Sequence, residues 1–122
     1  MNQQQPIPVA INLHKKSRRL EVEFNDGKKF EFSCEFLRVN SPSAEVKGHG
    51  PGQGTLQTGK ENVAIESLEP VGNYAIKLQF DDGHDTGIYS WSYLYDMGIH
   101  QDKYWQQYLH ALHEAGYQRQ QH

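Results

Sequence analysis

One segment of the chain has the spacing of a phosphate-binding loop. Residues 54–60 read G-x-x-x-x-G-K, a pattern in which backbone amides and the lysine bind phosphate groups. The next residue is Glu61, where such a loop needs Ser or Thr to bind magnesium. A strand pattern follows, whereas a phosphate loop leads into a helix. The sequence therefore favours a plain glycine-rich loop over a nucleotide site.

Two groups of histidines near the C-terminus have spacings that suit metal ions. His100 and Asp102 match the H-x-D half of the facial triad of non-haem iron oxygenases. Those sites take another histidine from a remote strand, and the later histidines here lie on or after the adjoining helix. His110 and His113 stand one helical turn apart beside Glu114, on the polar face of that helix. We interpret Asp102 as a helix-start residue and the others as solvated surface.

The chain holds no complete set of catalytic residues. Cys34 is its only cysteine, which excludes an internal disulfide and a zinc site built from several thiolates. No base or second cysteine stands near it, so an inert buried thiol is favoured. Asp81, Asp82 and Asp85 cluster around a glycine, and turn chemistry explains them. The sequence predicts a protein that is not an enzyme.

Charge and hydropathy limit the partners. The formal net charge is −3, and the one basic cluster, residues 15–19, is followed at once by Glu21 and Glu23. This argues against nucleic acid. The N-terminal MNQQQPIPVA lacks the features of a signal peptide, and no apolar stretch has membrane-spanning length. We predict a cytoplasmic protein that does not bind membranes.

Alternating apolar residues predict three strands in the first third of the chain. Residues 1–6 are predicted to be a disordered tail. Residues 7–13 have a period of two, and so do residues 20–24 and 30–32. The turn chemistry of residues 25–28 joins the last two strands into a hairpin.

The middle of the chain combines a short helix, a long loop and a second hairpin. Ser33 is a predicted N-cap, and its helix ends before Pro42. Residues 41–61, called here the glycine-rich segment, carry five glycines and two prolines and are predicted to be a loop that is either functional or mobile. Strands are predicted at residues 63–68 and 74–80, joined through a turn at 70–73.

Two helices are predicted to complete the fold. Ser90 caps a helix that stops at Gly98, and an apolar stripe defines an amphipathic helix between Asp102 and Gly116. The predicted fold class is α+β: a small, mostly antiparallel sheet built from hairpins, with short helices and a C-terminal amphipathic helix. We expect a domain over residues 7–98, followed by a helix and tail over residues 99–122.

Two motifs carry a resemblance to a known family. Residues 36–50 read FLRVNSPSAEVKGHG and residues 82–94 read DGHDTGIYSWSYL. With these motifs the chain resembles the DUF971 family, which is also named for its similarity to the N-terminal domain of gamma-butyrobetaine hydroxylase. The resemblance covers roughly residues 7–98. In the hydroxylases an oxygenase barrel follows this domain, and these 122 residues hold none, so the resemblance does not imply hydroxylation.

The resemblance also points to one metal site. In the hydroxylases the domain holds zinc through a C-x-C-x-x-C run and a histidine. The matching positions here are Ser41, Ser43, Val46 and His84. Zinc takes about four N, S or O donors, so only His84 carries over, as a weak metal candidate.

Two main functions follow from these observations. The first is a non-catalytic accessory or docking module that binds a protein partner, and relatives fused to iron–sulfur scaffolds imply a partner with iron–sulfur or oxygenase chemistry. The alternative is a protein that holds iron or zinc through His84 with His49 or a nearby Asp. A weaker third reading is self-association through the C-terminal helix. The candidate binding residues are Arg38, Asn40, His49, His84 and Trp91.

Overall fold

The computed structural model describes residues 6–47 and 54–119, and confirms the predicted α+β class. Its strands form two three-stranded antiparallel sheets, whereas the sequence suggested a single sheet. None of the helices in the described ranges is long and apolar enough to cross a membrane. The elements in chain order are β1 (Pro8–His14), β2 (Arg19–Phe24), β3 (Lys29–Ser33), α1 (Cys34–Val39), α2 (Ala44–Lys47), β4 (Ile65–Val71), β5 (Ala75–Phe80), β6 (Ile88–Ser90), α3 (Trp91–Ile99) and α4 (Gln101–Glu114).

The first sheet has the order β1-β2-β3 and contains the predicted hairpin. Leu20 pairs with Phe32, and Val22 pairs with Phe30, so one face of the hairpin is apolar. Gly27 closes the turn with a φ of 91°, a left-handed conformation that glycine adopts without a steric penalty. The hairpin prediction is confirmed.

The second sheet has the order β4-β5-β6, and its first turn differs from the prediction. Residues 70–73 were predicted to form the turn, but β4 runs on to Val71 and pairs Pro70 with Ile76. Proline lacks an N–H, and β4 is an edge strand, where no neighbour on its outer side needs that donor. The turn therefore falls later, where Gly72 has a φ of 54°.

Two serines begin helices as predicted, but one helix ends later than predicted. The Ser33 Oγ accepts from the Phe36 amide at 3.0 Å, and the Ser90 Oγ accepts from the Tyr93 amide at 3.1 Å. Helix α3 continues through Gly98 to Ile99. A Cβ at Gly98 would lie 2.4 Å from the Phe30 ring, so this glycine permits close packing against β3 and does not end the helix.

The glycine-rich segment contains a helix that the sequence analysis missed. Residues 44–47 form α2 inside the predicted loop, a single turn too short to show periodicity. One apolar cluster joins side chains of both sheets, α1 and α3. A smaller cluster holds Val39 against Tyr108 and Leu112 of α4, which places the C-terminal helix beside the end of α1.

Candidate functional site

Two of the predicted site positions, far apart in sequence, meet in the interior. Ser41 follows the end of α1, and His84 follows the turn after β5. The Ser41 Oγ and the His84 Nε2 lie 2.9 Å apart and form a hydrogen bond. Ser41 is fully buried, and His84 is 6% exposed. A hydrogen bond of this kind satisfies polar groups that burial removes from water.

A second hydrogen bond runs beside the first. Ser43 and Thr86 place their hydroxyl oxygens 2.7 Å apart. The Ser43 amide also donates to the Ser41 Oγ at 3.3 Å. These contacts join the connection between α1 and α2 to the connection between β5 and β6. We call Ser41, Ser43, His84 and Thr86 the clasp.

Gly87 is predicted to be essential to the clasp. Gly87 is buried, and a Cβ there would lie 2.4 Å from the Ser41 Oγ and 3.1 Å from the Tyr89 ring. Gly87→Ala should therefore push Ser41 off His84 and lower the free energy of unfolding by about 1 to 3 kcal/mol, measured by urea denaturation. In a Ser41→Ala chain the added methyl group has more room. The loss in free energy of unfolding caused by Gly87→Ala should therefore be smaller there by at least about half. Equal costs in both chains would contradict the predicted clash.

An ionic group borders the clasp. The Asp82 Oδ2 accepts from the Arg38 Nε at 2.8 Å and from the Lys60 Nζ at 2.7 Å, and its Oδ1 accepts from the His84 amide at 3.1 Å. Burial opposes the ionisation of Asp82, but the donors from Lys60, His84 and Arg38 outweigh it and hold the pKa of its carboxyl at about 2. Asp82 is therefore an anion at neutral pH that binds two cations.

Arg38 is nearly enclosed in this arrangement. Its side chain is 9% exposed, and its buried Nη1 has no hydrogen-bond partner within residues 6–47 and 54–119. A buried guanidinium needs a counter-charge, and Asp82 supplies it. We call Arg38, Lys60 and Asp82 the ionic group. It fixes α1 to the β5–β6 connection and to the far end of the glycine-rich segment.

Three further contacts hold the glycine-rich segment. Thr55 donates its amide to the Val46 carbonyl at 2.9 Å, so the two described ends of the segment pair with each other. The Tyr108 hydroxyl of α4 donates to the Gln57 carbonyl at 2.7 Å. The Tyr117 hydroxyl lies 3.4 Å from the Glu61 carboxylate. In the sequence Tyr108 belongs to an apolar stripe, and nothing there signals that its hydroxyl also binds the Gln57 carbonyl.

Two other predicted binding residues have structural contacts outside the clasp and the ionic group. The Asn40 side chain donates to the Phe36 carbonyl at 3.0 Å and completes the end of α1. The Trp91 indole packs against the main core, and its N–H donates to the Asn73 carbonyl at 2.8 Å. His49 lies outside the described residues.

The C-terminal tail makes a further ionic contact that was not predicted from the sequence. Arg119 donates from its Nε to Glu35 at 2.8 Å and from Nη2 to the other carboxylate oxygen. The Glu35 side chain is 7% exposed, and the guanidinium stacks 5.2 Å from the centre of the Trp105 ring. The hydrogen bonds to Glu35 raise the pKa of Arg119. This pair attaches the tail to the first turn of α1.

The motifs that were set aside have ordinary structural contacts. Burial raises the pKa of the Cys34 thiol, which opposes a reactive thiolate. Lys60 binds Asp82, and residues 65–71 after it are a strand, as the rejection of a phosphate loop required. The His100 Nδ1 lies 3.0 Å from Asp96, and His110 is exposed.

Comparison with known proteins identifies the family. A family model described as gamma-butyrobetaine hydroxylase-like, N-terminal, matches residues 11–95. The chain belongs to this family. The match contains both motifs from which the resemblance was inferred and confirms that resemblance. No curated protein matches the chain.

Solved structures of relatives in this hydroxylase-like family share the fold. One protein whose solution structure was determined by NMR is 47% identical, with a TM-score of 0.82 over 95% of this chain and 91% of that one. A second NMR structure is 51% identical, with a TM-score of 0.80 over 98% and 90% of the two chains. A crystal structure of a DUF971-family protein with unknown function from Acidithiobacillus ferrooxidans is 40% identical, with a TM-score of 0.60 over 71% and 86%.

The zinc ligands that the hydroxylase-like family implies do not fit the residues present here. Ser41, Ser43 and Val46 stand at the cysteine positions, so the only strong donor of the set is the His84 imidazole. Within residues 6–47 and 54–119, no group of three or more His, Cys, Asp or Glu side chains is arranged to hold a metal ion. Ser41, Ser43 and His84 meet, but the donor set is that of a hydrogen-bonded junction.

Proposed function

We propose that this protein is a non-catalytic accessory module that binds a protein partner through the glycine-rich segment. The observation that supports this most is the ionic group. Arg38 and Asp82 are taken largely out of water at a cost in desolvation, and with Lys60 they fix the segment to two other elements without adding apolar area to the core. A fold that holds the described part of the segment in this way preorganises that part for contact.

The described part of that segment presents a defined surface. Leu56 is 37% exposed and lies between Thr55 and Gln57, whose backbones are held by Val46 and Tyr108. An exposed leucine on a fixed backbone can enter an apolar pocket of a partner at little cost in conformational entropy. A partner with iron–sulfur or oxygenase chemistry, in the cytoplasm, is the kind that the family resemblance and the composition suggest.

The proposal predicts that one exposed side chain controls partner capture. Leu56→Glu should reduce the captured partner by at least about tenfold, because a carboxylate cannot be desolvated in an apolar pocket. The measurement is affinity capture with the full chain, followed by quantitative mass spectrometry and then by binding of the purified partner. A second variant replaces residues 48–54 with a neutral linker of equal length.

Tyr74→Glu is the matched control for that experiment. Tyr74 is 56% exposed in the turn between β4 and β5, and its substitution introduces the same charge outside the glycine-rich segment. We expect this variant to capture the partner as the unmodified chain does. Equal capture by the Leu56→Glu chain and the unmodified chain, or equal loss in both glutamate variants, would contradict docking through the glycine-rich segment.

The metal-binding alternative remains a separate hypothesis. It assigns iron or zinc to His84 with His49 or a nearby Asp. No observation on the described residues favours it, because the His84 Nε2 bonds to Ser41 and the Asp82 carboxylate binds two cationic side chains. Metal analysis of the purified protein, described below, tests it directly. Self-association through α4 is tested by sedimentation at two concentrations.

A further inference from the structure

We propose that the clasp is a metal-independent substitute for the zinc site that the family resemblance implies. It joins the same two segments of chain through hydrogen bonds, and His84 is a structural residue of the clasp. This inference concerns how the fold is closed, so it does not depend on whether the glycine-rich segment binds a partner.

The separation of the donor atoms supports a direct contact. In a tetrahedral zinc site with Zn–S and Zn–N bonds of about 2.3 and 2.0 Å, the two donor atoms stand about 3.5 Å apart. The Ser41 Oγ and the His84 Nε2 are 2.9 Å apart. That separation is typical of a hydrogen bond and leaves no space for an ion between the two atoms.

The other two positions also lack the character of ligands. Ser43 directs its hydroxyl to Thr86 at 2.7 Å, and a neutral hydroxyl binds zinc far more weakly than a thiolate does. Val46, at the third cysteine position, is 6% exposed, and its apolar side chain offers no donor to a metal ion. A buried apolar side chain and two hydroxyls do not bind a dication. The apolar side chain can pack in the interior, and the hydroxyls can form hydrogen bonds.

The clasp joins residues that are distant in sequence, as a structural metal does. Ser41 and His84 are separated by 43 residues, and so are Ser43 and Thr86. These hydrogen bonds are absent from the unfolded chain, so they act only in the folded state, where they select one arrangement of the two segments. Gly87 leaves the space that Ser41 needs, which indicates that the contact is built into the local backbone.

The first test is the metal content of the unmodified full chain, purified anaerobically without a tag. Mass spectrometry should find less than about a tenth of an equivalent of iron or zinc, and a chelator should leave the melting temperature unchanged. A near-stoichiometric metal that is lost in His84→Ala, or a melting temperature that a chelator lowers, would overturn the proposal.

The second test restores the missing donors. The variant Ser41→Cys/Ser43→Cys/Val46→Cys should bind one equivalent of Co²⁺, with thiolate-to-metal charge-transfer absorption, and Zn²⁺ should displace it. Adding His84→Ala should weaken cobalt binding by about tenfold or more. Ser41→Cys/Ser43→Cys/Ala44→Cys is the matched control, because it carries the same number of thiols with one on the exposed Ala44.

The outcome of this comparison decides whether the four positions form one site. Tighter cobalt binding by the first variant than by the control supports the proposal, and equal binding overturns it. If the cysteine variants do not fold, Ser41→Ala and His84→Ala are combined in a double-mutant cycle. The pair should then be coupled by about fivefold in the unfolding equilibrium constant, and additive effects would overturn the clasp.

Discussion

An Asp82→Ala chain is expected to lose about 3 kcal/mol of its free energy of unfolding, because the Arg38 guanidinium would stay buried without its carboxylate. The Arg38 side chain is only 9% exposed and lies 2.8 Å from Asp82, so water replaces the lost partner poorly. Urea denaturation at neutral pH measures the effect. The matched control is Asp85→Ala, which removes a carboxylate from an exposed position of the same connection and should change stability by less than about 0.5 kcal/mol.

The same carboxylate should impose a pH dependence. The folded pKa of Asp82 is about 2, against an ordinary value of 3.8, so its ionisation stabilises the fold above about pH 4 and this contribution is lost as the pH falls towards 2. With its side chain 22% exposed, screening reduces the contribution to about 1 to 2 kcal/mol. The stability difference between the unmodified chain and Asp82→Asn should shrink across that window. A difference that stays constant from pH 5 to 2 would show that Asp82 is not the group responsible.

The second large effect is expected at the C-terminal tail. Arg119→Ala should lower the free energy of unfolding by about 2 kcal/mol, because Glu35 would keep a buried charge with no cation beside it. This loss of free energy is smaller than that for a fully buried pair because the Arg119 side chain is 26% exposed. Thermal and urea unfolding measure the change. A change in tryptophan fluorescence reports the loss of the Arg119 guanidinium from the Trp105 ring.

A neutral partner should reverse part of that loss. Glu35→Gln removes the buried charge, so the double variant Glu35→Gln/Arg119→Ala should be more stable than Arg119→Ala alone. Lys103→Ala, at an exposed position on α4, is the control for removing a cation. If Arg119→Ala lowered the free energy of unfolding no more than Lys103→Ala does, the Glu35–Arg119 pair would be a surface contact without structural importance.

Local rules explain which elements could be predicted from the sequence. Ser33 and Ser90 begin helices because each side chain accepts from an amide three residues later, and that geometry depends only on neighbouring residues. The first hairpin has turn residues and alternating strands within a short stretch. Gly98 misled the prediction because a glycine that ends a helix and one that admits the Phe30 ring look alike until the packing is known.

The candidate site needed tertiary structure. Both motifs of the resemblance contain clasp residues, so their importance was visible, but no local pattern states that Ser41 lies against His84. Arg38 is a predicted binding residue, and its burial beside Asp82 could not be predicted, because a charge can be buried wherever a counter-charge arrives from elsewhere in the chain. Glu35 and Arg119 offered no signal, since each alone is an ordinary charged residue.

The distance in sequence between Glu35 and Arg119 sets an order of events on the ribosome. The two residues are 84 positions apart, so at an elongation rate of about 10 residues per second the tail emerges about 8 s after α1. Until then Glu35 lacks Arg119, and Tyr108 and Tyr117, which hold residues 57 and 61, become available only about 1 s or less before it. Fixing of residues 57 and 61 therefore waits for α4 and the tail, and a chain whose translation stops before Tyr108 would lack both contacts.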